Sequence, residues 1–287
     1  MSGVACADGT WQDPLIGRRF AYRLWQPPSP RALLVLIHGF GEHGGRYHPF
    51  ASALAERGIF VAAPDLWGHG RSEGQRGDVA QMDDYLRQVT MMADQVFRPA
   101  SSQAQYTLFG HSVGGLVAIL LAMGHPPALA RAVIQSPLLE VGFPVPWWKK
   151  AAATVFARAW PTFPFSMNLD VGALTHDPAV IRAYQQDPLV HNAMSARTYR
   201  AIRDAQRQAL AGAAAVRAPI LLLCGAQDRI VAVEAAQRWW DRLSCEKRRV
   251  TFPDCYHELH HEAVQEEVLR LTLNWTLEKQ GVGSGDG

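Results

Sequence analysis

Ser112, Asp228 and His257 have the side-chain types that acyl transfer needs, and they come in that order along the chain. A serine hydroxyl is a weak nucleophile near neutral pH, so it requires a histidine to take its proton and a carboxylate to orient that histidine. Ser112 stands in Gly110-His111-Ser112-Val113-Gly114, between the short apolar run Tyr106–Phe109 and the longer run Leu116–Met123. These runs read as a buried strand and a buried helix, which puts the serine on a sharp strand-to-helix turn with its hydroxyl pushed into the open. The flanking glycines fit such a turn, because a Cβ at either position would strike the adjoining strand or helix.

In this arrangement the acid and the base should each follow a later strand of one parallel sheet. Pro219–Cys224 carries no charge and suits a strand buried on both faces, and it ends in Gly225-Ala226-Gln227-Asp228. The next strand candidate, Arg249–Phe252, leads into Pro253-Asp254-Cys255-Tyr256-His257. Asp228 could serve only as a helix cap or turn residue, but its place after a buried strand makes it the candidate acid. Asp254 is the rival; it would have to turn back within one short loop to reach the histidine. Of eleven histidines, His257 is selected because it alone follows a late strand.

His257-Glu258-Leu259-His260-His261 also matches the zinc pattern H-E-x-x-H, with Glu258 in the place of a general base. That chemistry needs both histidines on one face of an established helix and a third ligand beyond them. Here the first histidine comes straight after a strand and a proline-containing loop, so neither a metal nor another cofactor is expected. The remaining requirement is a pair of donors for the negative oxygen of the intermediate. The apolar strand Leu33–Ile37 ends in His38-Gly39-Phe40-Gly41-Glu42-His43-Gly44. Such a loop can aim the Phe40 N–H at that oxygen, with the N–H of Val113 as the second donor.

His38–His43 with Arg46-Tyr47, Pro64–Gly74, Gly110–Gly115, Asp187-Pro188-Leu189-Val190, Gly225–Arg229 and Tyr256–His260 together resemble the monoacylglycerol lipase and lysophospholipase branch of the α/β hydrolases. The likeness spans nearly the whole chain and is weakest between Pro137 and Val216. The resemblance implies a triad of Ser112, Asp228 and His257, oxyanion N–H groups from Phe40 and Val113, and release of a fatty acid from a monoacylglycerol or lysophospholipid-type ester through an acyl-enzyme. The same triad serves peptidases and thioesterases, and the same fold can close on a small ligand without turning it over.

Stepping outward, Phe20–Trp25 reads as an early antiparallel strand, Ile59–Ala63 and Ala132–Gln135 as further parallel strands, and Tyr47–Arg57, Met82–Phe97 and Val113–Met123 as helices between them. Alternating strands and helices predict an α/β-hydrolase fold: a mostly parallel sheet with helices on both faces and active loops at the strands' carboxyl ends. Between Pro137 and Val216 the alternation stops, which predicts an inserted helical cap. The expected organisation is a core over 1–136 and 216–280, a cap over 137–215 and a flexible tail over 281–287.

The cap is rich in aromatic residues, with Trp147, Trp148, Phe156 and Trp160 as candidate substrate contacts. They could pack on the sheet domain, line an apolar site for an acyl chain, or touch a membrane or micelle, the last aided by Lys149 and Lys150 beside the tryptophans. A length of 287 residues and 48% apolar content suit one large core. The net charge of +2 gives no basis for a nucleic-acid partner. No signal peptide or membrane-spanning run is expected, and four scattered cysteines favour reduced thiols and the cytoplasm. Cys255, two residues from His257, is expected to be structural.

Overall fold

The computed structural model describes residues 3–144, 146–167 and 169–278 of the 287, without the side chains at 149, 150, 152 and 153. The expected tail at 281–287 lies outside the described residues. In chain order come β1 (Ala5–Gln12), β2 (Arg19–Gln26), β3 (Ala32–Ile37), α1 (His48–Glu56), β4 (Ile59–Pro64), α2 (Met82–Met92) and α3 (Arg98–Ser101). Next are β5 (Tyr106–His111), α4 (Val113–Gly124), β6 (Leu129–Gln135), α5 (Trp147–Ala159), β7 (Pro164–Ser166), α6 (Pro178–Gln186), β8 (Ala193–Ser195) and α7 (Ala196–Ala211). The chain closes with β9 (Ile220–Gly225), α8 (Val233–Asp241), β10 (Lys247–Phe252) and α9 (Gln265–Leu277).

The described residues form an eight-stranded sheet of order β1-β2-β4-β3-β5-β6-β9-β10. From β4 to β10 all pairings are parallel, while β2 runs antiparallel to both β1 and β4. The inner strands are apolar on both faces because helices cover both, and successive side chains alternate between two cores. Leu33, Val35 and Ile37 of β3 join the core beneath α2, α4, α7 and α8, whereas Leu34 and Leu36 join the one beneath α1 and α9. Outer strand β10 begins Lys247-Arg248-Arg249, with charges along an edge that could otherwise pair with another chain.

Strand order reverses between β3, whose other neighbour is β4, and β5, which leads on to β6. At such a switch point the loops leaving the two carboxyl ends diverge and leave a crevice. In register Ile37 lies opposite Gly110, so the loop from His38 and the turn at Ser112 emerge side by side.

Two expectations need correction, and one strand has no sequence signal. β1, Ala5–Gln12, is mostly exposed and lacks apolar alternation, and its pairing with β2, from Ala5 opposite Gln26 to Gln12 opposite Arg19, is what makes it a strand. The interval 137–215 is not strand-free, since β7 and β8 pair antiparallel over three residues each, too short to carry a period-two signal. The helix expected over Met82–Phe97 is regular only to Met92; a wider π-type turn over Ala93–Phe97 then leads into α3.

Within that interval α7 packs as a layer of the main body, with Ala201, Ile202, Ala205 and Ala209 in the same core as α4. The segment before it is tied to loops of the sheet. His191 N donates to Gly41 O at 2.8 Å and Ser195 N to Gly77 O at 3.0 Å, while His43 Nε2 meets Asp187 Oδ2 at 2.8 Å.

Candidate active site

Ser112 joins β5 to α4 with φ +55° and ψ −115°, a strained conformation for a residue with a Cβ. Neighbouring backbone holds it there: Ser112 N donates to Gln135 O at 3.1 Å, and Ser112 O accepts from Leu116 N and Leu138 N at 3.1 and 3.0 Å. Close approach explains both flanking glycines. A Cβ on Gly110 would sit 2.3 Å from Gly114 O, and one on Gly114 would sit 2.1 Å from Ile37 O.

Asp228 lies on the loop after β9, where its Oδ1 accepts from the N–H groups of Ile230 and Val231 at 2.8 and 3.0 Å. Its Oδ2 is left to meet His257 Nδ1 at 2.7 Å. Burial raises the Asp228 proton affinity, but His257 and the two amides outweigh it and hold the carboxyl below its ordinary range. For His257 burial acts downward, yet Asp228 first and then Glu258 and Glu42 carry it above its ordinary value. His111, whose ring centre lies 4.6 Å from that of His257, is pushed down to about 3 by burial and by His257, and stays neutral.

The Gly39–Phe40 peptide is oriented from both sides. His38 Nε2 accepts from Leu66 N at 2.9 Å, so its Nδ1 carries the proton and donates to Gly39 O at 2.7 Å. Carbonyl and N–H point opposite ways in a trans peptide, so fixing Gly39 O also fixes the direction of the Phe40 N–H. Gly39 N itself donates to Glu42 Oε1 at 2.6 Å. The Val113 N–H opens α4, where first-turn amides have no partner in the helix. Among the described residues neither of these two N–H groups donates to another backbone carbonyl.

Gly39, Phe40, Ser112, Val113 and His257 form the floor of a cavity of about 580 Å³. Above the floor the lining is mostly apolar and comes largely from the 137–215 interval, including Leu138, Phe156, Phe165, Met167 and Met194. Of the four aromatic residues expected to contact substrate, Trp148 and Phe156 line this cavity; Trp147 and Trp160 do not. Trp147 is 79% exposed and Trp160 57% exposed. Trp148 is itself 56% exposed, at the edge of the cavity; Trp147, about 100° round the helix from it, lies off the cavity, and Trp160 falls past the end of α5. Lys149 and Lys150 have side chains outside the described set. Phe165, one of the cap's aromatic residues, lines the cavity as well, whereas Met167 and Met194 carry no signal in the sequence because they lie beside β7 and on β8, which are too short to show a pattern.

Glu42, Arg46 and Glu258, to which no local signal assigns a part in the acyl-transfer site, have buried side chains around the floor. Arg46 pairs with Glu42 and makes a two-pronged bridge to Glu258 at 2.7 and 2.9 Å. Tyr47 Oη donates to Glu42 Oε1 at 2.7 Å, and His261 Nδ1 lies 2.7 Å from Glu258 Oε2. Burial alone would raise both carboxyls, but Arg46 holds each below its ordinary range. The zinc-like pattern is therefore divided among other tasks: His257 turns to Asp228, and Glu258 turns to Arg46. Ligand atoms of Glu258, His260 and His261 do lie within 4.8 Å of one another, but a cation there would stand against the Arg46 guanidinium, so the donor set does not suit a metal. Asp254 is exposed. Cys255 is buried and its thiol is pushed up to about 11 by burial, which disfavours a reactive thiolate.

The family described as serine aminopeptidase, S33 (Hydrolase_4), matches residues 28–264. A monoacylglycerol lipase of Mycolicibacterium smegmatis is 31% identical over 262 residues, covering 90% of this chain and 93% of that protein. The match to an abhydrolase domain-containing protein of Dictyostelium discoideum is 32% identical over 263 residues and covers 90% of this chain, which spans only 27% of that longer relative. Among solved structures, the monoacylglycerol lipase of Paleococcus ferrophilus superposes with a TM-score of 0.81 at 29% identity, covering 95% of this chain and 98% of the other.

Proposed function

We propose that this chain, which belongs to the serine aminopeptidase S33 family of α/β hydrolases, hydrolyses the ester of a monoacylglycerol or lysophospholipid-type lipid and releases its fatty acid. The observation that carries this reading is the 580 Å³ cavity, with apolar walls that converge on Ser112 and His257. An acyl chain would lie along those walls while its carbonyl rests on the polar floor. The monoacylglycerol lipases among the relatives support the same substrate class.

In this mechanism His257 takes the Ser112 proton, the serine attacks the carbonyl, and the oxyanion is held by the Phe40 and Val113 N–H groups. His257 then protonates the leaving alcohol, and water activated by the same imidazole frees the acid. Asp228 keeps the Nδ1–H tautomer in place throughout. The family's name favours a second reading, removal of an N-terminal amino acid. Holding a substrate ammonium would need a free carboxylate, but Glu42 and Glu258 on this cavity are both engaged by Arg46.

Contact with a lipid surface through the cap belongs to the proposal. Trp147, Val155 and Trp160 are exposed in one stretch of α5 and its exit, and Trp148 stands at the cavity wall. No helix among the described residues is long and apolar enough to cross a membrane. Unpaired Cys6, Cys224, Cys245 and Cys255 support residence in the reducing cytoplasm. A panel of p-nitrophenyl esters of graded chain length, beside monoacylglycerol, lysophosphatidylcholine and an aminoacyl p-nitroanilide, tests the reading. The expected optimum is a medium or long acyl ester. A preference for acetate would overturn the acyl site, and a preference for the anilide would establish the peptidase.

A further inference from the structure

Glu258 follows His257 in the chain and lines the same cavity, but both its carboxylate oxygens are already taken, by Arg46 and by His261. Its carboxylate is therefore committed to protein partners. It reaches the opposite side of the floor. Arg46 carries the contact from Glu258 to Glu42, and Glu42 Oε1 receives the Gly39 N–H immediately before the Phe40 peptide. Side chains in this chain of contacts are nearly shut off from water, at 2% exposure for Glu258, 7% for Arg46 and 4% for Glu42.

We propose that Glu258 is a positioning residue which, through Arg46 and Glu42, clamps the loop carrying His257 to the loop carrying the Phe40 N–H, so that base and oxyanion donor keep a fixed separation across Ser112. The inference rests on the proposed triad. Loops leaving two different strands have no backbone bond to set their spacing, and a guanidinium held by two carboxylates supplies a planar, directional tie. Burial makes the tie stiff, because breaking it leaves a charge without a partner in a poorly solvating environment. Glu258 N donates to Leu174 O at 2.8 Å, which anchors the same residue to the cap side of the cavity.

The groups facing His257 are Asp228 from the β9 loop, Glu258 on its own loop, Glu42 with Arg46 behind it from the β3 loop, and His111 at the end of β5. Removing the Glu258 charge takes away one influence that raises His257, so the acid limb of the rate profile should move to lower pH. That shift reports the Glu258 charge beside His257, while the clamp itself is read from kcat against KM and from the double variant.

The test compares the full-length parent with Glu258→Gln, Glu42→Gln and the double variant, using a p-nitrophenyl ester of the preferred length. For Glu258→Gln the expected result is a kcat lower by roughly 10- to 100-fold, the size of effect that a displaced catalytic group produces. KM should stay within about threefold, because Gln keeps the shape of Glu258 and the apolar acyl walls are untouched, and the acid limb should shift downward. Losses in the double variant should be less than multiplicative, as expected for residues acting through one partner. Parental kcat in Glu258→Gln, or fully multiplicative losses in the double variant, would overturn the clamp. Should Glu258→Gln fail to fold, Arg46→Lys is read in its place; it keeps the charge but loses the two-pronged bridge, and parental kcat there would equally overturn the proposal. Ser112→Ala run alongside separates the two failures, since retained activity in that variant defeats the triad itself.

Discussion

The floor and the roof of the catalytic cavity are built on different principles. On the floor, polar groups converge at the ends of β3, β5, β9 and β10: Asp228 has three partners, Gly39 is held at both its N–H and its carbonyl, and Glu258 meets a cation on both oxygens. The roof is apolar and stacks on itself, with the Phe156 and Phe163 rings parallel at 4.6 Å and Trp160 edge-on to Phe163 at 5.3 Å. Directional bonds hold atoms to fractions of an ångström, as proton transfer and oxyanion binding demand. Apolar contacts have no direction and tolerate chains of different length. The contrast fits a site with one chemistry and a graded choice of acyl chain.

Perturbing the floor should therefore cost rate, and perturbing the roof should cost selectivity. Ser112→Ala gives the largest expected effect, a fall in kcat of roughly a million-fold as in comparable triads, measured with the preferred ester. Asp228→Asn preserves the shape but loses the charge that selects the His257 tautomer, and kcat should fall on the order of ten-thousand-fold. Because His257 lies above its ordinary value of about 6.5, the acid limb of kcat/KM in the parent should lie higher than that and activity should rise as the imidazole loses its proton. A limb below that value would contradict the carboxylate surroundings described for the floor.

On the roof, Phe156→Ala should lower kcat/KM for the longest good ester by about tenfold, equivalent to about 1.4 kcal/mol, while leaving the acetate ester nearly unchanged. Equal loss on both esters would show that roof and floor are not separable. The smallest expected effect on catalysis is that of Trp147→Ala. Its side chain lies outside the cavity, so kinetics on a soluble short ester should match the parent. Binding to phospholipid vesicles in a sedimentation assay should weaken by about 1.5–3 kcal/mol, the range for one apolar side chain leaving a nonpolar phase.

The strand-end residues were legible in the sequence because each stands next to a strong local signal. Ser112 has a glycine-bounded turn, Asp228 follows six residues without charge, and His257 ends the last strand loop. Those signals are local, since a buried strand and a tight turn restrict composition wherever they occur. β1 had no such signal because its outer position buries little, and β7 and β8 are too short to show one. Among the aromatic residues, composition gave an apolar cap but no direction, and only the placement of α5 sets Trp148 at the edge of the cavity while Trp147 stays off it.

By itself, then, the sequence determined the order of β2 to β6, β9 and β10 with the helices α1, α2 and α4 between them, the strained serine turn and the chemical types at three strand ends, all consequences of short-range sterics and burial. Tertiary structure decided which side chains wall the cavity and which charges meet around it. Arg46 and Glu258 stand 212 positions apart in the chain and meet at 2.7 Å, a meeting set by a sheet in which two strands stand between β3 and β9 and three between β3 and β10. No periodicity or spacing encodes such a contact, because it depends on how the sheet orders its strands and not on what either residue's neighbours are.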